Sequence, residues 1–215
     1  MAVLIACEES QAVTIEFRKL GVEAYSCDIQ ECSGGHPEWH IKGDVIKELD
    51  KDWDLLIAHP PCTYLCVPGA HYLHKQKDRW GKMVHAKEFF MKFLNSNIKR
   101  ICVENSVPHS YADLPKYSQI IQPYQFGDKF TKRTCLWLKG LPPLQTTKIV
   151  QKGERYYRKD GSVSNSIWYA KATAKERSKT FPGIAKAMAE QWAPCIKHGY
   201  EGEQYGIFTP HNITS

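Results

Sequence analysis

The chain has 215 residues, 42% of them hydrophobic and 24% charged, with a net charge of +6. That composition fits one globular domain, with or without a small appendage, and excludes an intrinsically disordered chain. No run of 18 apolar residues exists, so no transmembrane helix and no membrane partner are expected.

Residues 2–6 predict a short buried strand; lacking a basic leader and soon meeting Glu8 and Glu9, they do not read as a signal peptide. Apolar residues at Ala12, Val13, Ile15, Phe17 and Leu20 follow a helical period over 10–20, and Gly21 ends it. Residues 22–27 predict a second strand closing on Asp28. A turn follows at Ser33-Gly34-Gly35, then a short helix over 45–50. Asp54 to Ala58 predicts a third strand, stopped by Pro60-Pro61. A long polar loop is expected to about Gly81, then an amphipathic helix over 83–95, with further strands over 99–104 and 133–138. Pro142-Pro143 breaks the pattern, and a last helix is expected from Gly183 to Trp192.

Alternating strands and helices imply an α/β fold with a mostly parallel sheet and helices on both faces. Function in such sheets gathers at the C-terminal ends of the strands. Those ends carry Cys7-Glu8, Asp28, Pro60-Pro61-Cys62 and Glu104-Asn105. Cys62 follows two stiffening prolines at the mouth of the sheet, a suitable place for a nucleophile; a buried thiol in a strand-terminal turn is the other reading. The remaining cysteines read as reduced thiols of a cytoplasmic protein, because Cys7, Cys102 and Cys135 sit in or beside apolar runs.

These segments, in this order, resemble the cytosine-5 DNA methyltransferases, especially the short members of phage and prophage genomes. The resemblance implies a Rossmann-like S-adenosylmethionine-dependent methyltransferase fold and a place in restriction-modification. On it, Pro60-Pro61-Cys62 is the nucleophile motif, Val103-Glu104-Asn105 the glutamate motif and Lys132-Arg133 the arginine motif. Cys62, Glu104 and Arg133 are then catalytic. Cys7, Glu8, Ser10, Asp28, Ile29, Asp44 and Pro60 would bind S-adenosyl-L-methionine, with Asp28 at the ribose and Asp44 near the adenine. Pro61 and Asn105 would meet the substrate, and Thr63 to Lys82 would close over it. Cysteine after the prolines points to a ring carbon, which needs covalent activation; amino-directed enzymes carry an aromatic residue there.

The turn Cys7-Glu8-Glu9-Ser10-Gln11 has no glycine, unlike the family's first motif. Glu8 could contact the cofactor's amino group there, or Glu8 and Glu9 could start a solvated helix. The expected division is a catalytic domain over 1–140, a short basic and aromatic insertion over 141–177 where the family has a target-recognition domain, and a closing helix and tail over 178–215. From Lys139 to Lys186 there are eleven basic and three acidic residues, a local balance of +8. Arg155, Arg158 and Lys159, near Tyr156 and Tyr157, suit a DNA contact; a solvated basic face with an aromatic mini-core is the alternative. Cys27, Cys32, His36 and His40 have zinc-ligand types but no standard spacing, so no metal is assigned and a loop burying Trp39 and His40 is expected.

Three functions remain open: methylation of DNA cytosine, methylation of a pyrimidine nucleotide or single strand, and an inactive binding module, for example in phage counter-defence. The sequence leaves oligomeric state undetermined.

Overall fold

The computed structural model describes residues 1–153, 156–157, 160–164 and 172–198. Its central sheet comprises β1 (Ala2–Ala6), β2 (Glu23–Asp28), β3 (His40–Lys42), β4 (Leu55–Ala58), β5 (Ile101–Ser106), β6 (Gln119–Ile121) and β7 (Thr134–Lys139). The spatial order is β3-β2-β1-β4-β5-β7-β6. β1 to β5 pair in parallel, whereas β7 runs antiparallel to both neighbours. The order reverses between β1 and β4, and ligands of open α/β sheets bind outside the strand ends at such a reversal. This is a Rossmann-like α/β fold.

Strand residues alternate between two cores, as a period of two requires. Val3 and Ile5 face α1 (Ala12–Lys19) and the long C-terminal helix, in a core with Phe17, Met188 and Trp192. Leu4 and Ala6 face the opposite core, with Phe90, Phe93 and Trp137. Two further helices complete the second face: α2 (Val67–Ala70) and α3 (Arg79–Leu94). On the first face, α4 (Ala174–Ser178) precedes α5 (Pro182–His198).

Several boundaries differ from the sequence reading. β3 and β6 were not anticipated; each has three residues, too few to show a period. α3 begins at Arg79, and the expected loop before it contains α2 and the buried Leu73. α5 continues past Trp192 through Pro194 to His198. The ring of Pro194 removes one backbone donor, but Trp192, Ala193, Cys195 and Ile196 are buried, and that packing sustains the helix. Within the expected insertion, residues 154–155, 158–159 and 165–171 lie outside the described residues, so Arg155, Arg158 and Lys159 are not placed. β8 (Tyr156–Tyr157) and β9 (Val163–Ser164) pair there as a small antiparallel ribbon. All eight cysteines are free thiols. No helix among the described residues is long and apolar enough to cross a membrane.

Candidate active site

β4 ends where His59 N–H donates to the Ala6 carbonyl at 2.9 Å, after which Pro60 and Pro61 supply no further donors. Pro60 is buried and Pro61 exposed. The Pro60 carbonyl accepts from Asn105 Nδ2 at 2.9 Å. Asn105, expected at the substrate, is therefore a buried brace between the ends of β4 and β5. Cys62 closes a tight turn, its carbonyl accepting from Leu65 N and Cys66 N at 3.0 and 3.1 Å.

This turn is held from three sides. Arg79 Nη2 donates to the Thr63 carbonyl at 3.1 Å, and the guanidinium lies 4.9 Å from the Tyr64 ring. His109 Nε2 bonds the Tyr64 carbonyl at 3.0 Å, and His109 N–H donates to the Leu65 carbonyl at the same distance. A Cβ at Gly69 would meet the Thr63 carbonyl oxygen at 2.6 Å, so glycine lets α2 pack against the turn. The segment expected as a lid is thus anchored at its start.

Cys62 is half-buried. Its thiol is lowered to about 6, first by a hydrogen bond from Cys66, then by one from Ser106 and by the charge of Lys132; burial and Glu104 oppose the shift. The same contact raises the Cys66 thiol, the direction expected when Cys66 is the donor and Cys62 the acceptor. Burial works to raise Glu104, but the His59 hydrogen bond and the charges of Lys132 and His59 outweigh it and hold Glu104 below the usual glutamate value. The His59 Nδ1 to Glu104 Oε2 distance is 3.1 Å. His59 Nε2 is buried without a hydrogen-bond partner among the described residues.

The cation acting on Cys62 and Glu104 is Lys132, whereas Arg133 is exposed and acts on Cys135. Strand parity accounts for this. Thr134 lies opposite Ser106 and Leu136 opposite Glu104. Continuing the alternation puts Lys132 on the Glu104 face and Arg133 on the other. Lys132 Nζ also donates to the Arg177 carbonyl at 3.0 Å, tying α4 to the site.

In the turn between β1 and α1, Cys7 (φ 58°) and Gln11 (φ 57°) take the left-handed backbone that glycine usually supplies. Gln11 is buried, and its amide bonds both backbone groups of His36. A Cβ at Gly34 would meet Gln11 Cβ at 2.5 Å, so glycine is needed for this contact. Burial, followed by Asp28, Cys27 and Asp44, pushes the Cys7 thiol far up and keeps it neutral.

Glu8 turns inward and caps α1. Its carboxylate accepts from Val13 N at 2.7 Å, Thr14 N at 3.3 Å and Thr14 Oγ1 at 2.7 Å. Burial pushes its pKa up, with His59 and these donors opposing. Glu8 is therefore neither a solvated helix start nor a carboxylate free for a ligand.

Glu9, its neighbour, has both carboxylate oxygens buried without a hydrogen-bond partner among the described residues. Its side chain is 11% exposed, and Lys175 Nζ of α4 stands 3.9 Å away. No sequence signal separated Glu9 from Glu8. A buried carboxylate beside the β1–α1 turn, unbonded among the described residues, suits a cationic group of a ligand.

The other expected cofactor residues flank this turn. Ser10 Oγ accepts from Ala12 N at 3.5 Å. Asp28 is half-buried at the end of β2, its Oδ1 accepting from Gln30 N at 2.9 Å. Asp44 is exposed and caps the turn over 45–48 through Ile46 N at 3.0 Å. Ile29 is 76% exposed. Trp39 and His40 are half-buried rather than buried, because His36 stacks on Trp39 at the surface. The two ring nitrogens of His40 bond Ser26 Oγ and the Gln30 carbonyl. Among the described residues, no group of three or more His, Cys, Asp or Glu side chains is placed to hold a metal.

No family model and no curated protein matches the chain. Among solved structures it is similar to an E. coli prophage-encoded protein described as a DNA modification methyltransferase, with 11% identity, 70% of this chain and 52% of that chain covered, and a TM-score of 0.45. It is also similar to the Entamoeba histolytica methyltransferase EhMeth, with 14% identity, 70% and 57% covered, and a TM-score of 0.44. For the S. pombe Dnmt2 methyltransferase the values are 14%, 64% and 48%, with a TM-score of 0.39. The chain spans about half the length of these proteins.

Proposed function

We propose that this protein transfers a methyl group from S-adenosyl-L-methionine to carbon 5 of cytosine in DNA, through a covalent adduct on Cys62. The observation that carries the reading is the half-buried Cys62 thiol, lowered by Cys66, Ser106 and Lys132 beside a His59–Glu104 pair. A depressed thiol with an acid at its side suits addition to a conjugated pyrimidine.

Cys62 Sγ bonds carbon 6 of the ring. Glu104 Oε2 is held by His59, which leaves Oε1 to engage ring nitrogen 3. Glu104, a carboxylate in the free protein, takes up one proton from solvent as cytosine binds. With Oε2 held by His59, that proton sits on Oε1 and passes to nitrogen 3 as Cys62 adds, which makes carbon 5 electron-rich, and it returns to Glu104 when Cys62 leaves. The cofactor, when bound, supplies an electrophilic methyl group. After transfer, the carbon-5 proton is lost to a base, the Cys62–carbon 6 bond breaks, and the thiolate returns. Lys132 offsets charge on Cys62 and Glu104, and Arg133 is left to contact the phosphate backbone. Glu9 would hold the cofactor's ammonium group, Asp28 its ribose hydroxyls, and Asp44 its adenine.

The decisive experiment combines tritiated S-adenosylmethionine with DNA, plain or containing 5-fluorocytosine. Label should enter plain DNA, and the fluorinated base should trap the protein through Cys62. Neither label nor adduct across varied DNA would overturn the reading; label in free dCMP alone would transfer it to nucleotides.

Two substitutions test its parts. Glu9→Gln should weaken S-adenosylhomocysteine binding by about 10-fold or more in calorimetry, the scale of one charge-assisted hydrogen bond. Binding of 5′-methylthioadenosine, which lacks the amino-acid part, should not change; an equal loss for both would remove Glu9 from the ammonium role. His59→Gln should lower kcat by roughly 100-fold, the usual scale for a proton-transfer group, with KM for cofactor unchanged. An unaltered kcat would reduce His59 to packing.

A further inference from the structure

Three exposed aromatic rings meet beside the Cys62 turn. His74 comes from the segment after α2, Trp80 from the first turn of α3, and Tyr111 from the turn over 110–112. Their centroids lie 5.4 Å (His74–Trp80), 6.0 Å (His74–Tyr111) and 5.5 Å (Trp80–Tyr111) apart, all edge to face. Trp80 is 40% exposed and Tyr111 54%. Single exposed aromatics are ordinary, but three in mutual contact form a surface that offers ring area to a partner.

The segment that carries His74 and Trp80 is basic, and Asp113, the acid near Tyr111, is paired with Lys87 at 2.8 Å. Lys75, Lys77 and Lys82 are exposed on the same stretch, and Asp78 is the sole acid between residues 71 and 82. The cluster is also coupled to the catalytic turn at both ends. Arg79, beside Trp80, is buried and holds the Thr63 carbonyl. His109, two residues before Tyr111, holds the Tyr64 carbonyl. A ligand on these rings would therefore sit at a set distance from Cys62.

We propose that His74, Trp80 and Tyr111 form a stacking platform for a base of single-stranded DNA next to the reacting cytosine, with Lys75, Lys77 and Lys82 neutralising its phosphates. The occupant rests on the DNA reading above. A single strand is specified because its bases present open faces, whereas a duplex hides them in its own stack. Aromatic rings interleaved with lysines match that chemistry, with stacking and charge drawn from one segment.

Fluorescence anisotropy without cofactor tests this, using a 12-nucleotide single-stranded DNA, its duplex and the matching RNA. Wild type should bind the single-stranded DNA most tightly. The Trp80→Ala, Tyr111→Ala double variant should lose about 10- to 100-fold of that affinity, with its salt dependence unchanged. The Lys75→Gln, Lys77→Gln, Lys82→Gln variant should flatten the log-affinity against log-salt slope by about 2. Melting curves confirm that both variants fold. An aromatic variant that binds as wild type, a preference for duplex or RNA, or no single-strand binding by wild type would each overturn the proposal. Binding is read without cofactor, so a wild-type protein that binds single-stranded DNA but transfers no methyl group counts against the catalytic reading alone.

Discussion

Cys62→Ala is expected to abolish the proposed methyl transfer and adduct trapping, by roughly 10⁴-fold or more, the scale for removal of a covalent nucleophile. Cys62 is half-buried in a turn whose backbone is held by Arg79 and His109, so alanine leaves the fold intact. The thiol can be titrated without any substrate. With its pKa at about 6, iodoacetamide labelling of Cys62 rises as pH increases through about 6 and is level by neutral pH. Protonation below that value quenches the thiolate, so the rate falls as pH falls. Cys66→Ala removes the first of the stabilising hydrogen bonds, and the rise moves to higher pH. Mass spectrometry of the labelled peptide reads both profiles. A Cys66→Ala profile superimposable on wild type would show that Cys66 does not set the reactivity of Cys62.

Glu8→Ala destabilises the protein by about 3 kcal/mol, since it strips the acceptor from three buried donors at the start of α1. For a chain of this size that is a drop of roughly 10 °C in Tm. Glu8→Gln retains an acceptor for Val13 N and loses less. The two roles open to Glu8 in the sequence separate here. A capping carboxylate costs stability when removed, with cofactor affinity little changed under conditions where the variant is folded. A cofactor contact would do the reverse. Urea unfolding alongside calorimetry with S-adenosylhomocysteine distinguishes them, and a Glu8→Ala variant as stable as wild type would contradict the capping geometry.

The parts of this protein legible in the sequence are those governed by local rules. β1, β2, β4, β5 and β7 show as largely apolar runs because strands inside a sheet that is covered on both faces are buried on both sides, the antiparallel β7 included. The Pro60-Pro61-Cys62 stop shows because proline cannot continue the ladder. From these the α/β fold and the candidate site at the strand ends follow. The edge strands β3 and β6 do not show, since three residues carry no period and owe their extended form to neighbours already in place.

The roles of adjacent residues escaped the sequence for a related reason. Glu8 and Glu9 are chemically identical neighbours, and the left-handed backbone at Cys7 and Gln11 decides which one turns under α1. Lys132 and Arg133 are both cations, and the register of β7 against β5 decides which shares a face with Glu104. His59 and Glu104 are 45 residues apart in sequence, as are Pro60 and Asn105.

The sequence by itself determined the order of strands and helices, the stop after β4 and the residue types available for chemistry, because periodicity, proline geometry and side-chain composition act within a few residues. Only the tertiary structure decided which carboxylate stays unbonded, which cation faces Cys62 and which histidine backs Glu104. Those outcomes depend on strand register, loop dihedrals and burial, which exist only once distant segments have packed.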